Sequence, residues 1–284
     1  MKIVVNYLRE VQELWEEGKI DFIDRFKLYS LGGDLSPMDW CLEKKGVLFH
    51  GVVGKTSTLG DCDMLENTDF EKTKEILEKT NAPYLSAHIC TRNREQTQEE
   101  TLEAIVKNVE AYRGIFGKEI ALENIPYREY YRHCLYLIQP DMISKIVEKT
   151  NCHFLFDLSH ARKAALHLGI PFEEYVAALP MHRVIEFHLA GMFQTADGMQ
   201  IDNHGVMHEE DYQFLKEAIR NYPTLQYITL EYGSYLPENK KEEEMPYPVA
   251  SFQKINPLVK KEVEEQLLRI KEIVEEWEKE VKNS

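Results

Sequence analysis

The sequence predicts an α/β fold, a (β/α)8 (TIM) barrel with a single domain, from three observations. Short apolar segments alternate with longer amphipathic segments along the 284 residues. The short segments are mostly apolar until their last residues, as expected for parallel strands that are covered on both faces. The length also suits this fold, because such barrels usually have about 250 residues.

The predicted elements follow one another in a regular order. We expect strands at 2–6, 20–28, 46–50, 84–89, 119–124, 153–159, 184–190 and 227–232. We expect helices at 69–80, 99–116, 141–150, 209–221 and 257–281, where apolar residues recur at helical spacing. An open, doubly wound sheet would show the same alternation. It is disfavoured because no GxGxxG phosphate-binding loop follows an early strand.

The chain is expected to form one domain, 1–284, because no linker-like or low-complexity segment interrupts it. The longest irregular segment is 233–256, which contains Pro237, Pro246 and Pro248 beside a charged run. We interpret it as an active-site loop after the eighth strand, where barrels of this type often have insertions. Residues 257–284 are expected to form a C-terminal helix on the outer surface.

The composition argues against several classes of partner. Lys and Arg number 34 and Asp and Glu number 49, so the formal net charge is −15. An acidic surface repels phosphate groups, so we expect neither a nucleic acid nor an anionic membrane as partner. No apolar run reaches the roughly 18–20 residues of a membrane span, and the first residues do not resemble a signal peptide. The 5 cysteines form no CxxC pair, and we expect a cytoplasmic protein with reduced thiols.

Potential metal ligands follow the apolar part of six predicted strands or lie in the loop after the seventh. They are His50, His88, Glu123, Asp157, His160, His188, Asp202, His204 and Glu231. The carboxyl ends of barrel strands all face one mouth, so these residues are expected to converge. Mixed carboxylate and imidazole ligands suit zinc, iron or manganese better than calcium or magnesium. They exceed the ligands of one ion, so we expect two or three metal ions bridged by carboxylates.

Each of these residues also has a simpler interpretation. A single histidine at a strand end is usually a satisfied polar group, and a single carboxylate there is often a helix cap. The full set on one predicted face is hard to explain by independent accidents. Glu123 and Glu231 are candidates for catalytic roles as well. Asn124 is expected either to contact the substrate or the ligands, or to be an ordinary turn residue.

The order of these ligands resembles that of the endonuclease IV-like and xylose isomerase-like TIM barrels, mainly through the Asp157-x-x-His160 and Asp202-x-His204 spacings. The chain is more closely similar to the multinuclear non-haem iron oxidative enzymes, the family that includes the methanobactin-forming peptide-modifying oxidase. The similarity extends over most of the chain, from about Val4 to Glu231. The shared phrases are Leu48-Phe-His-Gly51, Leu122-Glu-Asn124, Phe156-Asp157, Phe187-His-Leu-Ala-Gly191 and Asp202-Asn-His-Gly205.

This resemblance implies an oxidative enzyme with two or three metal ions, iron being favoured over zinc or manganese. It implies that the enzyme uses O2 to abstract hydrogen from a substrate, often a cysteine-containing peptide, although a small molecule is also conceivable. A partner protein that binds the precursor peptide is a further implication. The alternative on the same barrel is a zinc- or manganese-dependent hydrolase or sugar isomerase. A non-catalytic binding protein is the third possibility, and the intact ligand set disfavours it.

Overall fold

Eight parallel strands close into a barrel in the computed structural model, which describes residues 1–30, 36–54, 58–233 and 254–283. The strands are β1 (Lys2–Asn6), β2 (Arg25–Tyr29), β3 (Gly46–His50), β4 (Tyr84–His88), β5 (Glu119–Glu123), β6 (His153–Asp157), β7 (Val184–Leu189), β8 (Gly191–Gln194), β9 (Gln200–Gly205) and β10 (Tyr227–Leu230). β8 and β9 form an antiparallel hairpin outside the barrel. The other strands pair in chain order, and β10 pairs back onto β1. The predicted fold class is confirmed.

The helices pack around the outside of this barrel. They are α1 (Arg9–Glu16), α2 (Met38–Lys44), α3 (Met64–Asn67), α4 (Phe70–Thr80), α5 (Gln98–Phe116), α6 (Pro140–Thr150), α7 (Leu158–Leu168), α8 (Phe172–Ala177), α9 (Glu209–Asn221) and α10 (Pro257–Asn283), with 3-10 segments at Glu129–Ile138 and Met181–Arg183. Among the described residues, no helix is long and apolar enough to cross a membrane.

Several predicted strands were longer than the observed ones, and two of the differences have a clear structural cause. The second, 20–28, begins only at Arg25, because Ile20 and Ile23 enter the core from an irregular turn and not from a strand. The sixth, 153–159, ends at Asp157, whose side chain accepts a hydrogen bond from the backbone nitrogen of His160 at 2.7 Å and so begins α7. An aspartate in this position is a good helix N-cap, and it separates strand from helix without a loop.

Several helices were not recognised from the sequence. Four of them have 4 to 8 residues, namely α1, α2, α3 and α8. One or two turns contain too few residues to show a helical period. The fifth, α7, was hidden because the predicted sixth strand extended into its first turn.

The alternation of side chains along the strands sorts the barrel interior into layers. The lowest layer is an apolar cluster contributed by seven strands: Val4, Leu48, Tyr84, Ala121, Leu155, Ile185 and Tyr227. In a strand the side chain two residues further on points to the same face. His50 therefore follows Leu48, Glu123 follows Ala121 and Asp157 follows Leu155 on the inner face, towards the carboxyl ends of the strands. Because the side chains of the apolar layer face inward, the side chains two residues further along the same strands face the mouth.

A second and larger apolar core lies between the strands and the helices. α10 contributes to it with a row of buried residues: Val259, Val263, Leu267, Ile270, Ile273 and Val274. Near its start, the ammonium group of Lys260 lies 2.5 Å from Glu13 and 2.6 Å from Glu17 of α1. The C-terminal helix is therefore packed as part of the helical shell. Of the predicted loop 233–256, residues 234–253 lie outside the described residues, so its role stays a prediction.

Replacing Leu267 with Ala tests the packing of α10. Leu267 is fully buried, so the variant should lose about 2–5 kcal/mol of unfolding free energy, measured by urea denaturation. The neighbouring Leu268 is 39% exposed, and Leu268→Ala is the matched control, with an expected change within about 0.5 kcal/mol. Equal effects of the two substitutions would contradict the packing of α10 on the barrel.

Candidate metal centre

The ends of the barrel strands hold most of the predicted ligands. Five lie at or next to the end of a strand from β3 to β7: His50, His88, Glu123, Asp157 and His188. The other four lie just beyond a strand, in the first turn of a helix or on the hairpin: Glu231, His160, Asp202 and His204. All but His88, which is half-buried, are buried or nearly so.

Glu123 lies at the centre of this arrangement. Its Oε2 is 3.5 Å from Nε2 of His50. Its Oε1 is 3.5 Å from a ring nitrogen of each of three further histidines, His88, His160 and His188. Burial alone would raise the pKa of Glu123, but the surrounding imidazoles, chiefly His88 and His188, outweigh it and hold the pKa well below the usual range. Glu123 is therefore a carboxylate that faces several histidines at once.

The first group of possible metal ligands consists of His50, His88 and Glu123. Nδ1 of His50 is hydrogen-bonded to the hydroxyl of Ser86 at 2.9 Å, and its Nε2 lies 3.3 Å from Nδ1 of His88. Burial lowers the pKa of His50 to about 3, so its imidazole is neutral near pH 7. A neutral imidazole with one nitrogen already bonded is the form in which histidine binds a metal ion.

The second group consists of Glu123, Asp157, His188 and Glu231. Nδ1 of His188 lies 2.5 Å from Oε2 of Glu231 and 3.9 Å from Oδ2 of Asp157. Burial would lower the pKa of His188, but the carboxylates around it, Glu231 and Glu123 among them, raise the pKa well above its usual value. Burial also raises the pKa of Asp157. This group thus concentrates carboxylates where they have little contact with water.

The third group consists of Asp157, His160 and His204. Nδ1 of His160 contacts the backbone oxygen of Asn124 at 2.9 Å, and Nδ1 of His204 lies 3.6 Å from Oε1 of Glu231. His204 has a φ of 49°, a left-handed conformation that is uncommon outside glycine. The turn of the backbone at this point directs the His204 side chain from the hairpin towards the barrel mouth.

Asp202 is the one predicted ligand that belongs to none of these three groups. Its carboxylate lies beside the third group, 3.8 Å from Nε2 of His160 and 3.5 Å from Nε2 of His204. It also accepts from Arg128 at 3.1 Å and from the Ser159 hydroxyl at 3.1 Å. Although burial raises the pKa of Asp202, the neighbouring histidines and Arg128 lower it to about 2.

Asn124 joins the ends of two strands. Its side-chain nitrogen donates to the backbone oxygen of Asp157 at 3.0 Å, and its side-chain oxygen accepts from the Asp157 nitrogen at 2.8 Å. Asn6 connects β1 to Tyr232 in the same way, at 2.6 Å and 3.0 Å. In the structure, Asn124 therefore holds the backbone of a ligand. The substrate contact considered for it stays a prediction.

The residues present fit a cluster of cations. Glu123 Oε2 and Asp157 Oδ2 are buried without a hydrogen bond from any described residue. The ligand atoms within a group lie within 4.8 Å of one another. At that distance two carboxylates repel by about 3–4 kcal/mol at an effective dielectric constant of about 20. Bound cations would offset this repulsion and satisfy the unpaired oxygens.

The sequence did not identify the polar residues beneath the ligands. Lys27 and Glu186 form an ion pair of 2.6 Å in the barrel interior, and both are fully buried. The sequence could have identified Glu186 as an inward-facing residue, because it stands two residues before His188 on the same strand and hence on the same face. Lys27 gave no comparable signal, because it stands alone in a strand whose predicted start was wrong.

Residues 13–245 match the sequence model of the RiPP precursor modification enzyme family MbnB/TglH/ChrH. The match covers most of the barrel and every residue of the three groups. The chain belongs to this family. The resemblance inferred from the sequence is thereby confirmed, and the family description identifies a precursor peptide as the kind of molecule that its members modify.

Members of a set of UPF0276 proteins are similar in sequence. One from Caulobacter vibrioides is 23% identical over 203 residues, which is 66% of this chain and 70% of that protein. Another from Caulobacter sp. strain K31 is 31% identical over 131 residues, 44% of this chain and 47% of that protein.

Solved structures with the same architecture are distant in sequence. A xylose isomerase domain protein from Salmonella typhimurium superimposes with a TM-score of 0.61 at 12% identity, covering 95% of this chain and 97% of the other. Endonuclease IV from Thermus thermophilus superimposes with a TM-score of 0.51 at 15% identity, covering 83% and 93%. These similarities support the barrel fold of the MbnB/TglH/ChrH family member, and at such identities they concern the fold alone.

Replacing Gly191 with Ala tests whether the hairpin positions the third group. A β-carbon at Gly191 would lie 1.7 Å from the backbone oxygen of Val206, so β8 and β9 would have to separate. We expect the affinity for ferrous or zinc ions to fall by more than about 10-fold, measured by anaerobic titration. Gly114, on α5, has no atom near its β-carbon position. Gly114→Ala should therefore leave the affinity unchanged, and an equal affinity of both variants would contradict the proposed role of the hairpin.

The reactivity of the cysteine thiols tests which cysteines are buried in the folded protein. Cys62 is exposed, whereas Cys41, Cys90, Cys134 and Cys152 are buried. We expect Ellman's reagent to modify Cys62 alone in the folded protein and all 5 cysteines after unfolding. Partial burial, with Glu100, Asp61 and Asp63 nearby, raises the pKa of Cys62. Its thiolate fraction at a given pH is thus below that of an ordinary cysteine, and the reaction should become faster as the pH rises. Rapid modification of Cys90 in the folded protein would contradict the structure.

Proposed function

We propose that the chain is a multinuclear iron enzyme that uses O2 to oxidise a cysteine-containing peptide. Membership of a family of precursor-modifying enzymes supports the peptide substrate. The buried groups of histidine, aspartate and glutamate support the metal centre. The observation on which the proposal depends most is the position of Glu123, which faces four imidazoles at 3.5 Å.

The three groups suggest how the ions would be held. His50, His88 and Glu123 would bind one ion, and Glu123, Asp157, His188 and Glu231 a second. Asp157, His160 and His204 would bind a third, with Asp202 next to it. Glu123 belongs to two groups and Asp157 to two, so each is suited to bridge neighbouring ions. Imidazole and carboxylate ligands are compatible with iron, and iron would supply the one-electron chemistry of O2.

The substrate is expected to approach on the side of His88 and Glu231. The side chain of His88 is 26% exposed, whereas that of His50 is 3% exposed. Glu231 is 9% exposed in its side chain, and Glu123 is 1% exposed. These exposures support Glu123 as a residue that holds ions and Glu231 as one that also meets the substrate. The catalytic role that we propose for Glu231 is to contact the peptide as it enters the centre, at the more exposed edge of the second group.

The positive side chain of Arg128 lies at the same rim. It is 40% exposed and pairs with Asp202 at 3.1 Å. Arg128 thereby holds the Asp202 carboxylate next to the third group.

A cytoplasmic location is part of the proposal, since all five cysteines are free. The peptide-binding partner protein implied by the sequence resemblance is likewise part of the proposal.

A zinc- or manganese-dependent hydrolase or isomerase is the second candidate. The same ligand types bind those ions, and the structural neighbours include a D-psicose 3-epimerase with a TM-score of 0.61 at 10% identity. The net charge of −15 disfavours DNA as the substrate of such an enzyme.

Metal analysis and oxygen uptake together separate these candidates. Protein prepared anaerobically with ferrous iron should contain more than one iron per chain and should consume O2 when a cysteine-containing precursor peptide is added. The uptake should be absent with the matching serine peptide, because the thiol is lost. Protein that is active only with zinc or manganese, on a phosphodiester or a sugar, would exclude the oxidative function.

A substitution of His88 tests the site itself. His88→Asn removes a ligand of the first group, so iron affinity should fall by more than about 10-fold and peptide-dependent O2 uptake should be lost. His182 is 70% exposed and pairs with Glu148 at the surface, which makes His182→Asn the matched control. The control should retain both the iron and the uptake. An unchanged His88→Asn variant would remove the first group from the proposal.

A further inference from the structure

An ion pair lies inside the barrel directly below the metal centre. Lys27 of β2 and Glu186 of β7 are both fully buried, and Nζ of Lys27 lies 2.6 Å from Oε2 of Glu186. The pair is therefore enclosed by the strands and has no access to water. Buried ion pairs often contribute no net stability relative to apolar residues of the same size. The pair is therefore not explained by stability alone.

Three donors fix the orientation of the Glu186 carboxylate. Its Oε2 accepts from Lys27 and from the hydroxyl of Tyr84, at 2.6 Å and 2.8 Å. Its Oε1 accepts from the hydroxyl of Thr229 at 2.5 Å. The same Oε1 lies 3.4 Å from Nε2 of His188. These three donors hold the Glu186 carboxylate in place, and its remaining contact is with His188, a predicted metal ligand.

The two nitrogens of the His188 ring face different surroundings. Nε2 faces Glu186, while Nδ1 lies 2.5 Å from Glu231 and 3.5 Å from Glu123, within the second ligand group. A histidine that binds a metal ion through one nitrogen usually donates the proton of the other to a carboxylate or carbonyl. Nε2 of His188 makes no hydrogen bond with a described residue, and Oε1 of Glu186 faces it at 3.4 Å, while Nδ1 lies on the side of the second ligand group.

We propose that Glu186 is a positioning residue that accepts the Nε2–H of His188 and thereby commits Nδ1 to the second metal ion. Lys27 compensates the charge of Glu186 and, with Tyr84 and Thr229, holds its carboxylate in place. This inference rests on the proposed metal centre. It adds residues from β2 and β7 that do not bind the ions themselves.

The test requires variants in which no unpaired charge is left in the barrel. Removing one partner alone would leave a buried charge and destabilise the fold. The apolar double variant, Lys27→Met with Glu186→Leu, removes both charges and the acceptor for His188. The amide double variant, Lys27→Met with Glu186→Gln, removes both charges but retains a side-chain oxygen that can accept. Tyr175→Phe is the control, because it removes a buried hydrogen bond on α8, from Tyr175 to the backbone oxygen of Ile138.

Two measurements are made on each variant. Anaerobic titration with ferrous iron gives the metal affinity, and thermal unfolding of the metal-free protein gives the stability. We expect the apolar double variant to bind iron about 10–100-fold more weakly and the amide double variant to recover part of that loss. Tyr175→Phe should lower the unfolding temperature without changing the affinity. Nitrogen NMR of the zinc-loaded wild type should show His188 bound through Nδ1 and protonated at Nε2.

The outcomes distinguish this inference from the proposed function. A wild-type protein that binds neither iron nor zinc would overturn both. A wild-type protein that binds metal, with affinity equal to that of the apolar double variant, would overturn the positioning role alone. Equal losses in the apolar and amide double variants would also overturn it, because the acceptor would then make no difference. Coordination of His188 through Nε2 would contradict it directly.

Discussion

The mutual repulsion of three buried carboxylates is the constraint on which this structure depends. Glu123, Asp157 and Glu231 lie at the ends of three barrel strands with little access to water. Protons on the surrounding histidines can reduce the repulsion, and cations can reduce it further. A barrel concentrates these groups because all of its parallel strands end at one rim. The same geometry therefore explains both the fold and the candidate metal centre.

The residues around the site support this concentration of buried carboxylates. The apolar layer at the bottom of the barrel keeps the strands packed. The polar residues between this layer and the candidate ligands, such as Lys27 and Glu186, are hydrogen-bonded to one another. Asn124 and Asn6 connect adjacent strand ends through both atoms of their amide groups. The ligands are thus supported from below and from the side by groups that do not bind ions. Such support limits how far a ligand can move when an ion is absent.

The sequence predicted the barrel and the residues that gather at its mouth, because both depend on local patterns. Apolar strands that end in His, Glu or Asp are visible without a structure, and a shared rim follows from the fold. Relations between distant strands were not visible. The pairing of Lys27 with Glu186 joins residues 159 apart in sequence, and the pairing of Asp202 with Arg128 joins residues 74 apart. The start of α7 was missed for a different reason, since Asp157 serves both as a strand end and as a helix cap.

The closure of the barrel has a consequence for how the chain is made. β1 pairs with β10, and the Asn6 contact with Tyr232 spans 226 residues. β1 is therefore synthesised long before β10, and the edge that pairs with β10 stays uncovered in the meantime. Contacts of such long sequence separation slow folding, and an uncovered strand edge favours association with other chains. Until β10 is made, β1 thus presents an unpaired edge of the kind that makes a folding intermediate prone to aggregate.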